Sequence, residues 1–263
     1  MFNYSEILSF ADKKFIEDEL ECVASQNLDL FENSIKDTID KLEKKYNEYS
    51  NKEYEIGLEI ATIYSNKSEQ EDVKFKQTKK DYQENIEFYE KQCLYSLERH
   101  LINEQLKSVG EMLIINAFKN IEINIKTLIE IAYPKVNSKD FYKWESLKQF
   151  FKNNNIQISK LKGYTEILHI KDVNNTLKHN GLLNDNIKKI EEFKDETEYN
   201  FVNLINFYER VKFNIPIFLN ELVCEIKKDL FVFDESRIEE ISNEYKLKMN
   251  NDDLKKFIEK LSQ

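Results

Sequence analysis

The sequence predicts an all-α protein, and three observations carry that expectation. Only 4 glycines and 2 prolines occur in 263 residues. Helix interiors tolerate neither residue well, whereas turn-rich β folds need both. Apolar residues recur at three- and four-residue steps along most of the chain, the period of one buried helix face. Charged residues make up 33% and the hydrophobic set 41%, a composition that can bury a core rather than stay disordered. The length suffices for one large domain or two small ones.

Taken in order, residues 15–49 are charged and helical in period, with Leu28, Leu30, Phe31, Ile35, Ile39, Leu42 and Tyr46 on the apolar side. A shorter helix, "EYEIGLEIATIYSN", follows and contains Gly57. Residues 67–107 predict a long charged helix marked by Phe75, Tyr82, Ile86, Tyr89, Cys93, Leu97 and Leu101. That narrow stripe suits a helical hairpin or short coiled coil. A break is expected at "KSVGEM", around Gly110. The more apolar helix "EMLIINAFKNIEINIKTLIEIAY" then ends at Pro134, whose ring removes a donor. "NSKDFYKWESLKQFFKNNN" predicts a helix capped by Asn137 or Ser138, with Trp144, Leu147, Phe150 and Phe151 as its apolar face. After the connector "IQISKLKGY", "TEILHIKDVNNTLKHNG" predicts a helix closed by Asn180-Gly181. A polar loop leads to one long helix, 196–231, kinked near Pro216. Residues 234–263 predict one or two amphipathic helices bearing Ile238, Ile241, Tyr245, Leu254, Phe257, Ile258 and Leu261. The organisation expected is an N-terminal helical extension over 1–107, a helical bundle over 108–231 and a helical tail over 232–263.

Charge and cysteine usage narrow the function classes. The net charge is -10, whereas a protein devoted to duplex DNA presents a basic surface. Arginine occurs at 99, 210 and 237 alone, which limits bidentate phosphate clamps, since lysine does not replace the guanidinium fork. Cys22, Cys93 and Cys224 are odd in number and far apart. They read as reduced, buried thiols in a cytoplasmic protein, with no zinc-ligand spacing. The first fifteen residues do not read as a signal peptide, and the apolar runs are interrupted by charge before they reach a membrane span. No cofactor is implied.

The stretch "DVNNTLKHNG", residues 172–181, holds the most informative chemistry. On a wheel at about 100° per residue, Ile167, Ile170, Val173 and Leu177 share the core arc. Leu168, Lys171, Asn175 and His179 form a row on the opposite side, with Asp172 beside it and Asn174 at the margin of the apolar arc. Three readings of His179 compete. It can be a solvated residue that favours the last turn through the helix dipole. A metal site is poorly served, because no second histidine stands at i+4. The third is acid–base work at a phosphate, where histidine as a residue type titrates near neutrality. His100 reads as a surface residue and His169 as a boundary residue of the same helix.

The order "INAFKNIEINIKTLIE", "WESLKQFF", "LKGYTEILHIKDVNNTLKHNG" and a long closing helix resembles the HEPN family of helical domains. The likeness covers about 110–230 and centres on a helix ending in Asn-x-x-Lys-His. It implies a helical bundle that often dimerises and, in the members that cut RNA, a metal-independent endoribonuclease. The family motif is an Arg followed after four to six residues by His. On that pattern His179 takes the histidine position and Asn175 the polar position, while Asn174 stands where the family has Arg. The resemblance therefore implies His179, Asn175 and Lys171 as catalytic residues, with Asn174 and Lys178 contacting RNA. It also implies a homodimer and a role in prokaryotic defence or stress. The alternative is a non-catalytic helical interaction module whose N-terminal arm docks a protein partner.

Overall fold

A computed structural model describes residues 10–25, 30–68, 79–137, 140–141, 143–179 and 181–262. The described residues are helical, without a strand: α1 (Phe10–Ala24), α2 (Leu30–Ser68), α3 (Lys79–Ala132), α4 (Trp144–Asn153), α5 (Tyr164–His179), α6 (Phe201–Lys212), α7 (Asn214–Phe231), α8 (Glu235–Lys248) and α9 (Asn251–Leu261). The all-α expectation holds. Residues 1–9, 26–29 and 69–78, which include Leu28 and Phe75, lie outside the described residues, as do Ser138 and Asn180.

The 54-residue helix α3 is the axis of the molecule. Its N-terminal half pairs with α2, and its C-terminal half packs against α1, α5, α6 and α7. The break expected at Gly110 does not occur, and packing explains why. A Cβ at Gly110 would stand 3.1 Å from the Cβ of Leu204, so the missing side chain lets α6 press against an unbroken α3. The boundary drawn near residue 107 thus falls inside one helix. Likewise α2 runs through Gly57 without interruption for 39 residues. Glycine in a helix interior costs about 1 kcal/mol, which buried neighbours such as Ile56 and the pairing with α3 offset. The single helix expected over 15–49 is instead divided between α1 and α2.

Two clusters of buried side chains hold these elements. The larger runs from Leu20, Val23 and Ala24 of α1 through Ile121, Ile125 and Leu128 of α3 to Phe207 of α6 and Phe218 and Leu222 of α7. Full burial of each such side chain is worth roughly 1.5–3 kcal/mol. The smaller joins Ile102 and Leu106 of α3 to Phe201 of α6, with Ile39, Leu42 and Tyr46 of α2 against them. Arg99 of α3 pairs with Glu53 of α2 at 2.7 Å. The polar loop 182–200 is also part of the core, since Ile187, Ile190, Phe193 and Tyr199 are all buried.

Local stop signals act where the chain turns. α3 ends two residues before Pro134. α4 begins at Trp144 with no side-chain cap, so Asn137 does not play the capping part the sequence suggested. The long helix expected over 196–231 is two helices divided at Phe213. Pro216 lies in the first turn of α7, where its missing N–H would have had no helical partner. α6 starts with a reciprocal pair, Asn200 accepting from the Asn203 N–H and Asn203 accepting from the Asn200 N–H. The tail α8–α9 buries no residue. It is fastened by Arg237, which donates to the carbonyls of Lys228 and Val232 at the end of α7. All three cysteines are exposed, not buried as their spacing suggested. Cys22 and Cys224 stand on the outward edges of α1 and α7, lining a cavity of about 530 Å³ with Asp18, Glu21 and Lys227.

Candidate functional site

Helix α5 is held at both ends by glycine geometry. Gly163 precedes it at φ 78°, and a Cβ there would lie 2.6 Å from the Asn214 carbonyl oxygen. Only glycine lets the start of α5 approach α7 so closely. At the other end Gly181 takes φ 62° and its N–H donates to the Thr176 carbonyl at 2.8 Å. That closes one of the free carbonyls of the last turn. Between these points Ile167, Ile170 and Val173 are fully buried, so rotation of α5 about its axis is fixed by its core face.

The opposite face carries the row expected from the wheel. Asn175, Lys178 and His179 are exposed at the C-terminal end of the helix. Lys171 is partly covered, and its Nζ lies 2.9 Å from Oδ1 of Asp172. Its charge is thereby matched within its own helix. Lys171 and His179 stand two turns apart, about 12 Å along the axis, so one phosphate does not bridge their backbones. Asn174 departs from the expected role. It is 1% exposed, its Oδ1 has no hydrogen-bond partner, and its Nδ2 donates to Oδ1 of Asn175 at 3.3 Å. A side chain so enclosed cannot touch RNA. It positions Asn175 instead, turning that amide from behind. Thr176, one residue on, shares a hydrogen bond of 2.5 Å with the buried hydroxyl of Tyr199. Burial pushes the Tyr199 phenol up from its ordinary range, so it acts as a neutral anchor for the end of α5.

Sequence reading missed a second polar cluster at the other end of α5. Arg210 of α6 binds Glu192 through a fork, Nε to Oε1 at 2.5 Å and an NH2 to Oε2 at 3.0 Å. Its guanidinium also lies over the Phe207 ring, 5.5 Å from the centroid. Burial would raise the Glu192 carboxyl, but the hydrogen bond and charge of Arg210 outweigh it and hold the group below its ordinary value. His169 faces the same cluster. Burial first, then the Arg210 charge, hold its imidazole below the ordinary value, while Glu166, Asp172 and Glu192 oppose them. Its Nδ1 is buried without a hydrogen-bond partner. So an arginine does pack against α5, near His169, ten residues from His179 and about 15 Å along the axis. The sequence separation of 18 from Glu192 to Arg210 hides this pairing from a local motif search.

Among the described residues no group of three or more His, Cys, Asp and Glu side chains is placed to hold a metal ion. None of their helices is long and apolar enough to cross a membrane. A cavity of about 570 Å³ opens away from α5, between the end of α4 and the α7–α8 junction, lined by Asn155, Asp229, Arg237 and Glu240 among others. No protein-family model, curated protein or solved structure matches the chain.

Proposed function

We propose that this chain is a HEPN-like helical protein that acts on RNA through the open end of α5, as a metal-independent endoribonuclease effector or subunit in prokaryotic defence or stress response. One observation carries the reading. Asn175, Lys178 and His179 all stand exposed at the end of a helix whose other face is fully buried and whose two ends are pinned by Gly163 and Gly181. A rigid element that presents an acid–base group, a cation and an amide together is what phosphodiester cleavage requires.

In this reading His179 takes the proton of the ribose 2′-hydroxyl as its oxygen attacks phosphorus. The bond to the 5′-oxygen breaks and that oxygen takes a proton from water, leaving a 2′,3′-cyclic phosphate and a 5′-hydroxyl end. Lys178 offsets charge on the phosphorane as a point cation, and Asn175, steadied by Asn174, orients the ribose or phosphate. Lys171 is paired with Asp172 and serves as a peripheral contact. RNA incubated with the purified chain in EDTA tests this directly. Wild type is expected to cleave at least 100-fold faster than His179→Ala, with Lys178→Ala in between. Equal rates for wild type and His179→Ala on structured and transfer RNAs would sink the reading.

A non-catalytic interaction module is the second reading, and one observation favours it. The fork expected on α5 is absent, and the arginine that packs against α5 is occupied by Glu192. RNA binding that His179→Ala leaves intact, with no cleavage by either protein, would select it.

A further inference from the structure

Helices α2 and α3 pair antiparallel. Tyr49 meets Tyr95 with ring centroids 6.0 Å apart, and the Arg99 guanidinium lies 6.0 Å from the centroid of the Tyr46 ring. Beside this pair opens a cavity of about 330 Å³, lined by Tyr46 of α2 and by Ser96, Arg99, His100 and Asn103 of α3. That volume is at the small end of ligand sites, which span roughly 300–1,000 Å³. At about 100° per residue the four α3 residues share an arc of about 100°. Gln92, one turn before Ser96, and Lys107, one turn beyond Asn103, fall in the same arc. Between residues 92 and 107 that arc holds no acid, since Glu98 and Glu104 lie outside it. Every lining side chain is of a type that donates hydrogen bonds. His100, read from the sequence as a surface residue, is exposed and lines this cavity.

Arg99 differs from Arg210 in how few of its donors are used. Arg210 commits two N–H groups to the two oxygens of Glu192. Arg99 Nε lies 2.7 Å from Oε2 of Glu53, yet its N–H makes no hydrogen bond there. Its terminal nitrogens make one hydrogen bond among the described residues, NH1 to the Tyr46 hydroxyl at 3.5 Å, longer than the usual range of about 2.7–3.2 Å. A guanidinium offers five N–H donors in one plane, a fork that fits two oxygens of one anion. Glu53 thus matches the charge of Arg99 without filling its donors. The described lining residues include no carboxylate, so an entering anion meets donors from both helices. A phosphate group has three strong acceptor oxygens and a charge to match them. A cation is repelled by Arg99 and by Lys107 beyond it, and an apolar ligand would leave the donors unpaired.

We propose that the cavity between α2 and α3 binds a phosphate group, free or carried by a nucleotide or an RNA strand, with Arg99 as its fork and Tyr46, Ser96, His100 and Asn103 as further donors. The site shares no residue with the end of α5 and stands whether or not His179 cuts RNA. The chain has three arginines, so the isotopically labelled full chain gives one Nε–H signal for each by nuclear magnetic resonance, assigned by substitution. Inorganic phosphate at constant ionic strength is expected to move the Arg99 signal and leave those of Arg210 and Arg237, with a Kd of about 1 mM. The double variant His100→Ala/Asn103→Ala keeps the Glu53 contact and should weaken binding about tenfold, with the melting temperature unchanged. Arg99→Lys keeps the charge without the fork and should weaken binding about tenfold as well, read at the His100 ring signals. Adenosine 5′-monophosphate and a short oligouridylate, titrated in parallel, separate the sources. Tighter binding of the nucleotide or of the strand identifies that carrier, and equal binding of all three identifies the free anion. An Arg99 signal that none of the three moves at about 20 mM overturns the proposal. So does a shift that His100→Ala/Asn103→Ala does not weaken.

Discussion

The two ends of α5 carry a histidine each, and the contrast between them is instructive. At the N-terminal end, His169 is half-buried beside Arg210 and Glu192, whose charges already satisfy one another. At the C-terminal end, His179 is exposed with Lys178 and Asn175. The first end has the guanidinium that phosphate chemistry favours but has committed it to a carboxylate. The second has open polar groups but no guanidinium. A charge available to a ligand and a charge present in the sequence are therefore different things, and packing decides between them.

The largest effect is expected where the start of α5 meets α7. Gly163→Ala forces a side chain into left-handed backbone and against the Asn214 carbonyl. It should cost about 3 kcal/mol and lower the melting temperature by roughly 6–12 °C, read by thermal circular dichroism. Next comes the anchor of the other end. Thr176→Val leaves the buried Tyr199 hydroxyl without its partner and should cost about 2 kcal/mol in a urea titration. Tyr199→Phe, which removes the hydroxyl altogether, should cost less. Arg210→Ala leaves Glu192 without its fork. Because the arginine side chain is 37% exposed, the loss should stay near 1 kcal/mol.

The fourth prediction concerns pH. The His169 imidazole is held below the ordinary histidine value of 6.5 in the folded chain. The unfolded chain therefore binds a proton that the folded chain refuses. The stability His169 contributes is present above pH 6.5 and is lost as pH falls below it toward the depressed folded value. Denaturation between pH 7 and 5 should show this slope in wild type, and His169→Gln should flatten it. The smallest effect on stability is expected at the open end. His179→Ala should change the unfolding free energy by less than about 0.5 kcal/mol, while abolishing any RNA cleavage. A large loss of stability there would erase the distinction between the two ends.

Legibility in the sequence followed the range of the interaction involved. The buried face of α5, its exposed row and the stop at Gly181 depend on neighbours within a few residues, and periodicity displayed them. Gly110 looked like a break because its cost is local, while the contact that offsets it comes from Leu204 on α6. The split at Phe213 rather than a kink at Pro216 has the same origin, because proline in a first helical turn is no obstacle. Loop 182–200 looked polar by composition, yet four of its scattered apolar residues, Ile187, Ile190, Phe193 and Tyr199, insert into the core. Asn174 appeared at the edge of the wheel and is enclosed by elements the wheel does not contain. The Arg210–Glu192 fork joins α6 to a turn far back in the chain, beyond the reach of any spacing rule.

The unbroken course of α3 also bears on how the chain matures during synthesis. The pairing of α2 with α3 is complete once residue 132 has been made, since both partners precede it. The other half of α3 must wait, because Phe207, Phe218, Leu222 and Ile226 come from the last third of the chain. An early hairpin therefore leads the ribosome with Ile121, Ile125 and Leu128 uncovered beyond its base. That interval is when the growing polypeptide most needs protection from aggregation, and it closes as α7 emerges.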